Sequence, residues 1–282
     1  MKFTKMEGIG NDYIYINNLS QQIKNPGALA KRLSDRHFGI GSDGLILVEP
    51  SDQADFKMVM YNSDGSQGKM CGNGIRCFSK FIHDQHLSTS TSLMIETLSG
   101  LRNVTLDFKE GRVLGATVDM GIPIIDPLQI PLAINIEPLD YELTLEGRTY
   151  RCSFVSMGNP HCVIFADTID TLDLAHIGPL FENHPLFPES INTEFITVLD
   201  RQNITMRVWE RGSGETLACG TGACASAYIA NTLGKVDHHV TVHLKGGSLS
   251  IALDPITRHI RMSGPATTVF TGELEGEYNG AY

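Results

Sequence analysis

The chain has 282 residues, of which 41% are hydrophobic and 19% charged, and its formal net charge is −10. This length predicts about two domains, and no apolar run approaches the roughly 20 residues that a membrane-spanning helix needs. Lys and Arg form no basic patch of the kind that binds phosphates, so the composition argues against nucleic acid or a membrane as partner and favours a small-molecule substrate.

The N-terminal residues lack the apolar segment of a signal peptide, so we expect a cytoplasmic protein. No two of the six cysteines form a Cys-x-x-Cys pair. This pattern predicts neither a disulfide framework nor a metal site. Cysteines in such a chain are usually small buried apolar residues, so any catalytic role needs support from its context. The six are Cys71, Cys77, Cys152, Cys162, Cys219 and Cys224.

Short apolar or alternating segments bounded by Gly, Asp, Asn or Pro predict strands in both halves of the chain. Helices are expected at about residues 26–36, 72–84 and 221–233, the first with Pro26 near its first turn. The glycines of residues 39–44 are expected to form a turn rather than a dinucleotide loop, because a strand follows them instead of a helix. The predicted strands are residues 13–16, 45–48, 56–61, 104–108, 113–118, 162–165, 195–199, 205–209, 240–244 and 248–253.

The second half of the chain repeats the first at an offset of 148 residues, the separation of Cys71 and Cys219. Residues 71–74 (Cys-Gly-Asn-Gly) resemble residues 219–222 (Cys-Gly-Thr-Gly), and Gly-Asn at 10–11 matches Gly-Asn at 158–159. By residues 104–107 and 251–254 the offset has fallen to 147. Several matches at one offset indicate a duplication that produced two similar lobes.

We therefore predict an α+β fold with two pseudo-symmetric lobes, each an antiparallel-rich β-sheet or barrel wrapped around a central helix. Three prolines predict a linker at about residues 120–131. The segment from Gly264 onward is expected to return to the first lobe. The predicted domains are residues 1–119 with 265–282, and residues 120–264, with the active site in the cleft between them.

Cys71 and Cys219 each stand directly before a predicted helix, in the pattern Cys-Gly-x-Gly. A helix N-terminus carries partial positive charge and unpaired N–H groups, which stabilise a thiolate and also bind carboxylates. Two such ends facing each other would place one sulfur on each face of an α-carbon. One thiolate could then remove a proton while the opposite thiol returns one.

At these residues the chain resembles the diaminopimelate epimerase family. Residues 62–66 and 70–77 are similar to its first signature, residues 209–216 and 218–222 to its second, and residues 158–161 and 264–266 also match. The resemblance covers essentially the whole chain. It implies cofactor-independent conversion of LL-diaminopimelate to the meso isomer, in lysine and peptidoglycan precursor synthesis, and it suggests a homodimer.

The resemblance also implies residue roles. Cys71 and Cys219 would be the acid–base pair, Arg211 would suit the distal carboxylate, and Glu210 an ammonium group. His161 and Glu210 would tune the thiols. The remaining substrate contacts implied are Asn11, Asn62, Gly72, Asn73, Asn159, Asn192, Gly220 and Thr221.

One departure from the family pattern is Gly44, where some relatives carry a Gln that touches the substrate. Three alternatives stay open on sequence alone. A proline or histidine racemase would share the cysteines, but proline racemases usually carry His where Asn73 stands. A thiol-redox or metal-binding protein would use the same two cysteines. A binding protein would keep the scaffold without turnover.

Overall fold

A computed structural model describes residues 1–275, which fold into two compact lobes. The first lobe contains Met1–Asp119 and the segment that begins at Ser263, and the second lobe contains Met120–Met262. The domain boundaries predicted from the sequence lie after residues 119 and 264. The part of the first predicted domain at residues 276–282 lies outside the described residues.

The first lobe is built from short strands and three helices. Its longest helix, α3, begins directly after Cys71 and contacts strands β1, β2, β3 and β7, so it is the central helix of this lobe. The elements are β1 Lys2–Gly8, β2 Asn11–Asn17, α1 Asn18–Gln21, α2 Pro26–Ser34, β3 Gly44–Glu49, β4 Phe56–Asn62, β5 Gln67–Gly68, α3 Gly72–Asp84, β6 Ser92–Thr97, β7 Gly100–Lys109, β8 Arg112–Gly121 and β18 Thr267–Glu273.

The second lobe has the same plan around helix α5, which contacts strands β10 to β13, β15 and β16. Strand β17 (Ile260–Pro265) crosses the boundary between the lobes. The elements are β9 Tyr141–Leu145, β10 Arg148–Ser156, β11 Pro160–Phe165, α4 Leu174–Glu182, β12 Asn192–Asp200, β13 Asn203–Glu210, β14 Gly214–Glu215, α5 Gly220–Thr232, β15 His239–Leu244 and β16 Gly247–Leu253.

Antiparallel pairs predominate in both lobes, with parallel pairs where a connection crosses over. The parallel pair β2–β3 brings Tyr13 beside Gly44, and the parallel pair β11–β12 brings His161 beside Asn192. Each pair of positions is related to the other by the 148-residue offset. The duplication inferred from the sequence is therefore present in the strand pairing, and the two-lobed α+β fold is confirmed.

The change of offset falls between the central helix and the strand that follows it. Helices α3 and α5 both have 13 residues at the 148 offset. In the next hairpins Leu93 pairs with Val104, and Val240 pairs with Ile251, so the offset there is 147. One residue is thus missing from the second helix–strand connection, where a loop tolerates the change.

Helix α4 was not predicted. Its N-cap residue is Asp173, whose side chain accepts a hydrogen bond from the His176 N–H. Its inner face buries Leu174 and Phe181, and the Phe181 ring makes an edge contact with Phe195. An aromatic core therefore supports a short helix that contains a proline. No helix within residues 1–275 has both the length and the apolar character needed to cross a membrane.

Candidate active site

Cys71 is the N-cap residue of helix α3. Its backbone is extended, with φ −129° and ψ 120°, and its sulfur accepts a hydrogen bond from the Gly74 N–H at 3.3 Å. The Cys71 carbonyl accepts the first helical hydrogen bond from Ile75 at 2.9 Å. Gly72 and Asn73 are the first two residues of α3, so their backbone N–H groups belong to the helix N-terminus. The turn can therefore bind an anion beside the sulfur.

Cys219 caps helix α5 in the same way. Its φ and ψ are −124° and 110°, its sulfur accepts from the Gly222 N–H at 3.3 Å, and its carbonyl accepts from Ala223 at 3.0 Å. Gly220 and Thr221 occupy the first helical positions. Each lobe thus contributes one cysteine at a helix N-terminus.

In the first lobe, Asn11 joins Cys71 to the half-buried carboxyl of Asp43. The Cys71 thiol donates to Oδ1 of Asn11 at 3.1 Å, and Nδ2 of Asn11 donates to Asp43 at 2.8 Å. Burial raises the pKa of Asp43, an effect that the hydrogen bond from Asn11 opposes. Asn62 lies at the end of β4, exposed, and donates to the Ser66 hydroxyl at 3.0 Å. Asp43 belongs to the segment of residues 39–44 considered in the sequence, but no site role was predicted for it.

Asn73 is almost fully buried because Arg76 holds its side chain. The Arg76 guanidinium donates to Oδ1 of Asn73 at 3.1 Å and to the Gly72 carbonyl at 3.2 Å. Its Nε donates to the Pro265 carbonyl at 3.2 Å, which ties the C-terminal segment to α3. The position that matches Arg76 in the second lobe is Cys224, a buried residue of α5. Arg76 is a positioning residue that sequence reasoning missed.

In the second lobe, a chain of hydrogen bonds leads away from Cys219. The Thr221 hydroxyl lies 3.5 Å from the Cys219 sulfur and accepts from Nδ2 of Asn159 at 3.3 Å. Oδ1 of Asn159 lies 3.1 Å from Nε2 of His161. The other ring nitrogen of His161 lies 2.7 Å from Oε1 of Glu194. This hydrogen-bonded network brings together four residues proposed from the motifs, and it adds Glu194, which the motifs did not indicate.

Glu210 and Asn192 lie on the neighbouring strands β13 and β12, close to His161 and Glu194. Oε1 of Glu210 accepts from the Thr216 hydroxyl at 2.5 Å, and burial, together with the charge of Glu194, raises the pKa of Glu210. Both ends of the Asn192 amide bond backbone groups: Nδ2 donates to Pro160 and Oδ1 accepts from Arg211 N–H. Asn192 therefore holds the backbone from which Arg211 projects.

The Arg211 side chain is exposed and donates one hydrogen bond, to the Glu189 carbonyl at 2.9 Å. A guanidinium with its remaining donors at the surface can pair with a carboxylate through two parallel hydrogen bonds. The family resemblance implies that Arg211 binds the distal carboxylate of the substrate, and this role stays a prediction.

The expectation that a helix N-terminus lowers the thiol pKa is wrong for Cys219. Burial raises its pKa well above the usual value, and the charges of Glu210 and Glu194 raise it further. The hydrogen bonds from Thr221 and the Gly222 N–H act in the opposite direction but do not compensate. Desolvation of a 4% exposed residue and two nearby carboxyls outweigh the helix dipole.

All six cysteines are free thiols, and Cys77, Cys152, Cys162 and Cys224 are buried, as expected for packing residues. Burial raises the pKa of Cys77 to about 12. Within residues 1–275, no cluster of three or more His, Cys, Asp or Glu side chains could hold a metal ion.

Comparison with known proteins agrees with this architecture. Residues 3–125 and 153–269 match the family model described as diaminopimelate epimerase. The diaminopimelate epimerase of Methanococcus maripaludis is 50% identical over 276 residues, covering 98% of this chain and 100% of that protein. That of Desulfovibrio desulfuricans is 50% identical over 284 residues, covering 97% and 98%.

Among solved structures, a hydroxyproline epimerase from Agrobacterium vitis is similar with a TM-score of 0.71 at 13% identity, covering 97% of this chain and 90% of that one. A PhzF-family protein from Bacillus anthracis has a TM-score of 0.69 at 15% identity, covering 98% and 99%. These two neighbours support the fold. Because the family model matches most of the chain and the relatives are half identical over nearly their full length, the chain belongs to the diaminopimelate epimerase family.

Proposed function

We propose that this protein is an isomerase that converts LL-2,6-diaminopimelate to meso-diaminopimelate without a cofactor, using Cys71 and Cys219 as its two acid–base groups. A thiolate removes the α-proton from one face of the carbon, and the opposite thiol delivers a proton to the other face. The substrate gains and loses one proton, so the reaction needs no oxidant or other reactant. This chemistry supplies lysine and peptidoglycan precursors.

The observation that carries the proposal is the duplicated helix cap. Cys71 and Cys219 have the same backbone conformation, and each sulfur accepts from the third N–H of its helix at 3.3 Å. A carbanion next to a carboxylate spreads its charge onto the carboxylate oxygens, and preorganised N–H groups stabilise such charge. The backbone N–H groups of Gly72, Asn73, Gly220 and Thr221 are the proposed donors.

The polar side chains around the caps suit a substrate with two amino-acid ends. Glu210 is the proposed partner of an ammonium group, and exposed Arg211 is the proposed partner of the distal carboxylate. Asn11, Asn62 and Asn159 are the proposed amide partners of the remaining polar atoms, and Asn192 acts by holding the Arg211 backbone. A substrate with a purely apolar side chain would offer no carboxylate to the Arg211 guanidinium, which disfavours a proline-type substrate.

The proposed partners are therefore a small amino acid and a second copy of the chain, and neither nucleic acid nor a membrane. The proposed location is the cytoplasm, which keeps thiols reduced and so suits six free cysteines.

Incubation with LL-diaminopimelate in D₂O tests the reaction. The native protein should form the meso isomer with deuterium at the inverted α-carbon, and it should not exchange the α-proton of L-proline. Cys71→Ala and Cys219→Ala should each abolish net conversion. Full conversion by either variant would refute the two-base assignment, and turnover of L-proline alone would assign the protein to another substrate.

A further inference from the structure

Glu194 is a buried carboxyl whose presence the fold does not explain. Its side chain and that of His161 are both 0% exposed, and the two lie 2.7 Å apart. Its second oxygen accepts no hydrogen bond from the residues that the structure describes. Removing a carboxyl from water and leaving one oxygen without a partner costs folding free energy. The simplest explanation for a carboxyl that costs folding free energy in this way is a role in the active site.

Glu194 lies directly behind the first turn of α5. A Cβ built on Gly222 would be 2.6 Å from Oε1 of Glu194 and 3.2 Å from the Cys219 sulfur. Because both distances are measured from the same Cβ position, Oε1 of Glu194 and the Cys219 sulfur are at most about 6 Å apart. At such a separation a negative charge disfavours ionisation of a neighbouring thiol.

The first lobe has an apolar residue at the same place. Glu194 pairs with Val208 and Ile46 with Met60, and the 148-residue offset relates the two pairs. A Cβ built on Gly74 would be 2.8 Å from the Ile46 side chain, so Ile46 packs against the turn of α3 as Glu194 packs against the turn of α5. An isoleucine therefore occupies this position in the first lobe, and a carboxyl at this strand position is specific to the second lobe.

We propose that Glu194 makes the two cysteine sites chemically unequal, because its buried carboxyl holds Cys219 as a protonated thiol in the substrate-free protein. In the first lobe, Ile46 places no charge behind Cys71. Glu194 is a positioning residue, since it acts on Cys219 across Gly222. The consequence for catalysis rests on the proposed function: at the start of a catalytic cycle, Cys219 would be the protonated thiol and would act as the general acid.

From the strands packed on α5, Glu210 on β13 also acts on Cys219, and His161 on β11 contacts Glu194 and acts on Glu210. Thr221 and the Gly222 N–H act on Cys219 from its own helix. Glu210 also opposes ionisation of Cys219, but a substrate ammonium group bound to Glu210 would cancel that charge. Glu194 is fully buried and paired with His161, so its influence is not removed in this way.

Alkylation of the substrate-free protein tests whether the charge of Glu194 keeps Cys219 protonated. Glu194→Gln keeps the shape of the side chain and removes the charge, and Glu142→Gln makes the same change at an exposed position of β9. The proteins are treated with iodoacetamide at one neutral pH, and the modification rates of Cys219 and Cys71 are followed by peptide mass spectrometry. Cys71 in the same sample is the internal reference, and no substrate is needed.

Glu194→Gln should raise the Cys219 rate by about tenfold or more, because one unit in thiol pKa changes the thiolate fraction about tenfold. The Cys71 rate should stay within about twofold of native, and Glu142→Gln should change neither rate. An unchanged or slower Cys219 rate would overturn the proposal. A parallel rise at both cysteines would also overturn it, since that indicates general loosening.

Glu194→Ile provides a second variant that uses the side chain already accepted in the first lobe. It should accelerate Cys219 in the same direction as Glu194→Gln. The reciprocal change Ile46→Glu should slow the alkylation of Cys71 relative to Ile46→Gln. Because these measurements involve no diaminopimelate, failure of the proposed function would leave them interpretable, and the two failures are distinguishable.

Discussion

Gly44 and Asn192 occupy matching positions in the two lobes, and only Asn192 has a side chain to place there. Gly44 pairs with Tyr13, and Asn192 pairs with His161. The Asn192 amide bridges two backbone groups, whereas a Cβ on Gly44 would overlap with the Tyr61 carbonyl oxygen. The glycine that stands where some relatives carry Gln therefore reflects a close approach of neighbouring strands in this chain.

Gly44→Ala should destabilise the first lobe by about 3 kcal/mol, because backbone atoms rather than a flexible side chain oppose the added methyl. Urea unfolding of the variant and the native protein measures the loss. Gly111→Ala is the control: φ there is +75° and nothing lies within 4 Å of the added Cβ, so it should lose only about 1 kcal/mol. Equal losses for both variants would show that the Tyr61 contact is unimportant.

Thr221→Val removes the hydroxyl between Asn159 and Cys219 while keeping the side-chain shape. Loss of one hydrogen bond to the sulfur should lower kcat for LL-diaminopimelate by about tenfold and leave KM little changed, since the backbone N–H groups remain. Thr232→Val, which alters an exposed hydroxyl at the end of the same helix, should have no effect on kcat. A rise in KM alone would indicate that Thr221 serves binding instead.

Arg76→Met should lower the free energy of unfolding by about 3 kcal/mol. The fully buried guanidinium makes three hydrogen bonds that join α3, the Asn73 side chain and the Pro265 carbonyl, and hydrogen bonds to a charged group contribute about 1.5–3 kcal/mol each. Arg76→Lys should not restore stability, because an ammonium cannot reproduce the planar fork. Arg112→Met, at an exposed residue, is the control. Native stability in Arg76→Lys would contradict the argument that the planar guanidinium is required.

Asp12 should make stability depend on pH. Burial acts to raise its pKa, but hydrogen bonds and charges from Arg36 and Lys5 outweigh burial and lower the pKa below 3.8. A carboxyl with a lowered folded-state pKa stabilises the fold above its unfolded pKa, and this contribution is lost as the pH falls. The native protein should therefore be more stable than Asp12→Asn at pH 7, by about 1.5–3 kcal/mol.

Urea unfolding at a series of pH values tests this dependence. The difference between native protein and Asp12→Asn should shrink as the pH falls through 3.8 and below, where the carboxyl gains its proton. Asp52→Asn, at an exposed residue of the same lobe, should show a small difference at every pH. A gap for Asp12→Asn that stays constant from pH 7 down to the lowest pH at which the native protein is folded would mean that shape and not charge is responsible.

The sequence alone determined the elements with strong local signals. The two Cys-Gly-x-Gly segments predicted both central helices to within one residue, because glycines and an N-cap sulfur define where a helix starts. The constant offset predicted the duplication, and the registers of both lobes follow it. The short helix α1, helix α4 and eight strands were missed: β1, β5, β6, β9, β10, β14, β17 and β18. Strand β1 is stabilised by pairing with β18, and helix α4 by an aromatic core, rather than by a local sequence pattern.

Tertiary structure decided what surrounds each sulfur. The sequence predicted equivalent cysteines at equivalent helix ends, and no local pattern distinguishes them. Strand pairing places Glu194 behind one cap and Ile46 behind the other, and burial and nearby carboxyls then raise the pKa of Cys219 against the helix dipole. The electrostatic environment of a thiol depends on residues that are distant in sequence and close in space. The motif therefore identified the two cysteines but did not determine their protonation states.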